Sequence, residues 1–183
     1  MSSDRERVLR SSGRNSGPVI DTTITNLISL LSVNSYQKGS WVLHMLRYKV
    51  GDKNFWNGMR LYYTRYRNGN ALTDDFRKCM EETSDRNLEE FFHQWLYTTG
   101  QPDLKITTAA GQKKGTKVIT IEQAQESSFT FDIEIGISDS GGKRKVTIPV
   151  SKKITTITVK ADENAEITPD PDVRLLFRNV TSK

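Results

Sequence analysis

The chain has 183 residues, 35% of them hydrophobic, with 27 Lys and Arg against 22 Asp and Glu, giving a formal charge of +5 and a pI near 9.3. That is apolar material for one sizeable domain or two small ones. No apolar run approaches the ~18 residues that span a bilayer, and the opening MSSDRERVLR is charged where a secretory signal would be apolar, so the sequence reads as soluble, with no membrane or export signal and no compartment indicated.

A single cysteine, Cys79, excludes an internal disulfide framework and a cysteine-based structural zinc site. The basic residues form short separate groups, such as Lys113 with Lys114, Lys143 to Lys145, and Lys152 with Lys153. These suit solvated turns and protected strand edges better than a phosphate-binding stripe, so nucleic acid is not an expected partner.

Residues 1–20, rich in Arg and Ser, are expected to be loose. Asp21 suits the N-cap of a helix running to about Leu31, and a second helix begins near Tyr36 and ends before Gly51. Asp52 is placed to cap a third helix, whose Phe55, Met59, Tyr62 and Tyr66 recur at the spacing of one buried face. Thr73 with Asp74 and Asp75 starts a fourth, lined by Phe76, Cys79, Met80 and Thr83. Asn87 and Glu90 read as a capping-box variant before a helix carrying Leu88, Phe91, Phe92, Trp95 and Leu96.

The period changes near Gly100. In Thr98 to Asp103, TTGQPD, Gly100 suits a helix stop and Pro102 follows, so a helical part at 21–102 gives way to a strand part at 103–183. There Phe129, Phe131, Ile133, Ile135 and Ile137 alternate, and Val146, Ile148 and Val150 answer them across Ser140-Gly141-Gly142, which predicts a hairpin. Leu104 to Thr107, Lys117 to Ile121, Ile154 to Val159 and Val173 to Phe177 predict further strands. Together they imply an α+β chain whose second part is an antiparallel sandwich of about seven strands.

Little in the sequence supports chemistry on its own. His44 and His93 stand on different helices, and neither belongs to an H-E-x-x-H pair, which would put two imidazoles on one helical face for a metal. The paired acids Asp74-Asp75 and Glu89-Glu90 are neighbours on helices and do not face each other, so capping and dipole compensation explain them. Arg60 to Arg67 mixes arginine with tyrosine, but at a spacing that gives a core stripe with a basic outer face. Tyr36, beside Gly39 at the start of the second helix, has two readings. It is an aromatic anchor, or a hydroxyl that donates to a developing oxyanion.

The order of short motifs carries more. Tyr36-Gln37-Lys38-Gly39, Trp41 to Arg47, Gly51-Asp52 with Phe55-Trp56, Tyr62-Tyr63, Asn70 to Phe76, Met80-Glu81-Glu82, Leu88 to Phe92 and Gln94-Trp95-Leu96 closely resemble the zinc-dependent gluzincin aminopeptidases of the aminopeptidase N, or membrane alanyl aminopeptidase, family. The likeness is strong from Asp21 to Asp103 and weaker beyond it, where it includes Asp170 to Leu176.

It implies that the helical part is the C-terminal piece of a thermolysin-like catalytic domain and the strand part an immunoglobulin-like β-sandwich. It also implies that Tyr36, as the tyrosine of the family's Y-x-K-G motif, is catalytic, with Lys38 and Gly39 in support. The family's H-E-x-x-H, its third glutamate ligand and its G-x-M-E-N loop are absent from this sequence. The resemblance therefore implies a zinc cofactor held by an upstream part of the same enzyme, a peptide substrate, no metal ligand of this chain's own, and inactivity and self-association of the chain alone. The alternative is a non-catalytic, peptidase-like protein-interaction module.

Overall fold

Residues 2–11, 17–23, 25, 28 and 34–180 are described by the structure, a computed structural model, and the chain divides between Gly100 and Gln101 into a helical unit and a strand unit. Helix α1 spans Ser2–Ser11, where a loose segment was expected. Its Arg- and Leu-containing run is intrinsically helical. Glu6 and Arg10 pair one turn apart, and Val8 is fully buried. The Asp21 carboxylate accepts from the Thr23 amide and hydroxyl, closing a local turn. The helix expected from Asp21 to Leu31 falls mostly outside the described residues.

The Tyr36 helix opens as a π-helical turn, Asn34–Lys38, and continues as α2, Gly39–Val50. Only Gly51 separates it from α3, Asp52–Tyr66; Gly51 takes φ +83°, a corner that a side chain would strain, and donates its N–H to the Arg47 carbonyl. Asp52 does not cap α3. With Gly51 as the boundary residue, Asp52 lies inside the first turn, and its carboxylate instead takes Arg47 Nε at 2.8 Å and Nη2 at 2.7 Å across the corner.

Helix α4, Thr73–Ser84, begins after Leu72, whose N–H reaches the Asp75 carboxylate at 2.9 Å. α3 and α4 approach closely because Gly58 lacks a side chain: a Cβ there would lie 2.6 Å from Met80 Sδ and 3.0 Å from Thr83 Oγ1. The expected stripe faces inward, with Phe55 buried and Met59, Tyr62 and Tyr66 half-buried. The last helix is α5, Glu89–Phe92, running directly into a second π turn, His93–Tyr97, with Phe92, Trp95 and Leu96 buried. The expected Asn87–Glu90 box is replaced by another arrangement. Asn87 Oδ1 accepts from the Glu89 amide at 3.0 Å, while Glu81, reaching across from α4, takes the Leu88 N–H at 2.7 Å.

The strand unit has seven strands among the described residues: β1 Asp103–Ala110, β2 Thr116–Gln123, β3 Phe131–Asp139, β4 Gly142–Val150, β5 Ile154–Lys160, β6 Glu166–Pro169 and β7 Arg178–Asn179. They form a four-stranded sheet, β5-β2-β1-β7, and a three-stranded sheet, β4-β3-β6. Every pairing is antiparallel except the short one between β1 and β7, which is parallel. In the β3–β4 hairpin Asp139 pairs with Gly142 across Ser140-Gly141, and Gly142 takes φ +98°.

One face of each sheet is buried. Phe131, Ile133, Ile135, Ile137, Ile148 and Val150 are hidden in one, and Leu104, Ile106, Ile119 and Ile121 in the other. Each such side chain removed from water contributes roughly 1.5–3 kcal/mol.

The strand expected at Val173 to Phe177 does not form. The buried Asp170 carboxylate accepts from the Arg174 and Leu175 amides, giving those donors a local partner in place of a ladder, and Val173 sits at φ +55°. Strands flank this turn instead, as β6 before it and β7 after it. β6 is only four residues long and ends in proline, too short to announce itself by alternation. Among the described residues no helix is long and apolar enough to cross a membrane.

Candidate functional site

Residues two apart on a helical turn diverge by roughly 160° around the axis. Tyr36 and Lys38 show the consequence on the first π turn. Lys38 points inward and is 1% exposed, whereas Tyr36 points out and is 60% exposed. The lysine Nζ donates to the Gly100 carbonyl at 2.7 Å and, more distantly, to that of Thr98 at 3.4 Å. Burial disfavours the ammonium and pulls its pKa down to about 8.

Two buried polar atoms lack a hydrogen-bond partner among the described residues, Gln37 Oε1 on the same turn and Trp41 Nε1 at the start of α2. Such an atom typically costs about 1–3 kcal/mol. Ser40 Oγ donates back to the Gln37 carbonyl at 2.8 Å. Gly39, the first residue of α2, lines a groove of about 300 Å³ whose other walls include Leu43, Leu46, Tyr62, Leu72 and Phe76. Leu43 and Leu72 at its rim are exposed.

Neither histidine joins this turn in a catalytic arrangement. His44 meets Trp41 and Tyr48 edge-on at 5.2 Å and 4.9 Å between ring centres, and His93 stacks on Tyr97 at 6.0 Å. Among the described residues no group of three or more His, Cys, Asp or Glu side chains could hold a metal ion. Asp74 is paired with Lys78 and Arg77, and its hydrogen bonds to them, Lys78 first, hold its carboxyl below the usual range. Cys79 is buried.

On α3, Tyr62 turns inward against Tyr66 at 5.4 Å and Phe76 at 5.2 Å. Trp56 and Tyr63 remain exposed on its outer side, with the Arg47 guanidinium 5.6 Å from the Trp56 ring centre.

Tyr36 was singled out in the sequence by its motif. The partner of Lys38 was not, because a lysine and two carbonyls about sixty residues away leave no mark in a linear pattern. The one available signal was the glycine in TTGQPD, read there only as helix punctuation.

Residues 5–95 match the peptidase family M1 domain. The chain is 26% identical over 143 residues to an aminopeptidase N from Escherichia coli (strain K12), an alignment covering 74% of this chain and 16% of the relative. It is 33% identical over 160 residues to a puromycin-sensitive aminopeptidase from Caenorhabditis elegans, covering 80% of this chain and 17% of the relative. The chain thus spans about a sixth of the length of the curated relatives it matches. The crystal structure of Legionella pneumophila aminopeptidase A in complex with aspartic acid superposes over 100% of this chain and 22% of its own, with a TM-score of 0.79 and 16% identity, a likeness of fold.

Proposed function

Because the chain belongs to peptidase family M1, we propose that it is part of a zinc metallo-aminopeptidase that removes N-terminal residues from peptides, and that it supplies the tyrosine on the oxyanion side of the reaction. The observation that carries this is the placement of Tyr36, exposed on a turn whose next inward residue, Lys38, is buried. In this reading the helical unit is the C-terminal piece of a thermolysin-like catalytic domain and the strand unit an immunoglobulin-like sandwich.

Zinc would polarise the scissile carbonyl and activate water when bound. In this reading its ligands belong to an upstream part of the enzyme, and the chain alone is inactive. Tyr36 does its work with its own hydroxyl. It donates a hydrogen bond to the carbonyl oxygen as that oxygen gains negative charge, a contact stronger in the transition state than in the ground state.

Removing one such donor typically costs about 100- to 1,000-fold in kcat. Tyr36→Phe in the zinc-loaded enzyme should fall in that range with KM little changed and zinc retained. Near-normal turnover would return Tyr36 to an aromatic anchor. The exposed Leu43 and Leu72 beside the groove also support self-association of the chain by itself, since exposed apolar patches favour association. Sedimentation velocity should show concentration-dependent assembly that Leu72→Lys reduces; a monomer at all concentrations would count against it.

The exposed Trp56 and Tyr63 on α3 favour a second reading, a peptidase-like interaction module without catalysis. The coding sequence upstream separates the two. An in-frame H-E-x-x-H supports the enzyme, and a genuine start site at Met1 supports the module.

A further inference from the structure

Lys38 is the largest charged side chain fully buried among the described residues, yet its described hydrogen bonds run to carbonyls and not to a carboxylate. A buried charge without an opposite charge is costly, and a methionine of similar reach would fill the same channel without that cost. What methionine lacks is direction. An ammonium has three donors and selects the oxygens it meets. Those oxygens belong to Thr98 and Gly100, just beyond the second π turn, and are 60 and 62 residues away in sequence.

Gly100 takes φ +82°, which a side chain would strain, so the backbone that presents its carbonyl depends on glycine. The lysine of Tyr36-Gln37-Lys38-Gly39 and the glycine of TTGQPD therefore serve one contact.

The consequence for Tyr36 follows from the helical geometry. Lys38 and Tyr36 lie on nearly opposite sides of one turn, so anchoring the first inward fixes the direction of the second. The Lys38 side chain makes no cap hydrogen bond to α2 itself, and its described hydrogen bonds all run to the distant carbonyls. Gln37 Oε1 and Trp41 Nε1 add no tie, since neither atom has a hydrogen-bond partner among the described residues.

We propose that Lys38 is a positioning residue for Tyr36: its ammonium ties the first π turn to the carbonyls of Thr98 and Gly100 and so holds the tyrosine outward. This deepens the reading of Tyr36 as an oxyanion donor and rests on it for its functional meaning, while the tie itself can be measured without turnover.

The test uses the full 183-residue chain. With 13C introduced only in tyrosine, the NMR Cα shift of Tyr36, assigned by its loss in Tyr36→Phe, reports whether the turn is helical. In Lys38→Met it should collapse to the coil value while those of Tyr62 and Tyr66 on α3 stay helical, and Lys38→Arg, which restores donors, should recover it. A helical Tyr36 in Lys38→Met, or no recovery with arginine, overturns the proposal.

Should Lys38→Met unfold the whole chain, amide exchange in the unaltered protein decides. Residues 36–40 and 94–98 opening together, with one opening constant and before α3 and α4, support the tie. Separate opening of the two turns overturns it. Neither measurement reads catalysis, so normal turnover in the Tyr36→Phe enzyme would sink the oxyanion reading and leave the tie standing.

Discussion

Gln123 in the strand unit and Lys38 in the helical unit are both large polar side chains buried almost completely, and they are held in opposite ways. Gln123 in the strand unit is fully buried and neutral. Its Nε2 donates to the carbonyls of Phe129 at 2.8 Å and Lys152 at 3.0 Å, and its Oε1 accepts from the Phe129 amide at 2.8 Å and from Gln125 Nε2. Both ends of the amide are satisfied, and the side chain joins the ends of β2, β3 and the β4–β5 connection. Lys38 in the helical unit is charged, has one short hydrogen bond and one long one, and stands in sequence between two residues with orphaned polar atoms, Gln37 and Trp41. A satisfied neutral network stabilises; a desolvated ammonium tied to two carbonyls holds a position at some cost in stability. The contrast marks Gln123 as a stabilising tie and the first π turn as a place where stability yields to geometry.

The sharpest way to break this comparison is Gln123→Leu. It keeps the bulk but removes the side-chain partner of the buried Phe129 amide and carbonyl, so the strand unit should lose roughly 3–5 kcal/mol. Urea unfolding followed by far-UV circular dichroism measures this, and a loss below about 1 kcal/mol would mean water replaces the side chain.

Next in size is the pH response of Lys38. Its folded pKa lies at about 8 against 10.5 for an ordinary lysine. Between those values the unfolded chain binds more protons than the folded one, so the helical unit should gain stability as pH rises from 8 toward 10.5, by at most about 3 kcal/mol. All three tryptophans lie in the helical unit, so their fluorescence follows it selectively. Lys38→Met should flatten the profile; an equal slope in that variant would assign the effect elsewhere.

Below pH 4 the strand unit should lose stability on acidification, the same sign of pH dependence from a different group. The Arg144 guanidinium holds the Asp139 carboxyl well below the usual range, so its stabilising contact is present above the ordinary carboxylate pKa and is lost as the solution is acidified through the folded value. Asp139→Asn should remove that acid dependence. The smallest effect is a gain. Val173 is a β-branched residue at φ +55°, and Val173→Asn should raise the strand unit's stability by about 1 kcal/mol in the same urea assay.

Much of the fold was legible because it rests on periodicity. Phe55, Met59 and Tyr62 face inward, and Phe131 to Ile137 alternate as their spacing predicts. Three departures share a cause: a polar group expected in one local arrangement meets a distant or differently placed partner. Asp52 went to Arg47, the Leu88 amide to Glu81, and the Arg174 and Leu175 amides to Asp170, which dissolved an expected strand. α1 was missed because arginine-rich composition suggested looseness, while burial of Val8 depends on contacts that composition does not record. For the candidate site, Tyr36 was found through its motif, and Lys38 was ranked as support because its partners lie 60 and 62 residues away.

The sequence by itself determined the change from helix to strand near Gly100, the faces to be buried and the tyrosine to be questioned, because these follow from side-chain spacing and from residue types that a local turn requires. Only the tertiary structure decided which carbonyls receive the Lys38 ammonium, which side of the turn Tyr36 occupies and where the Gly58 contact closes α3 against α4. Those outcomes depend on surfaces brought together by folding, where burial and hydrogen-bond satisfaction choose among partners that the linear order leaves equal.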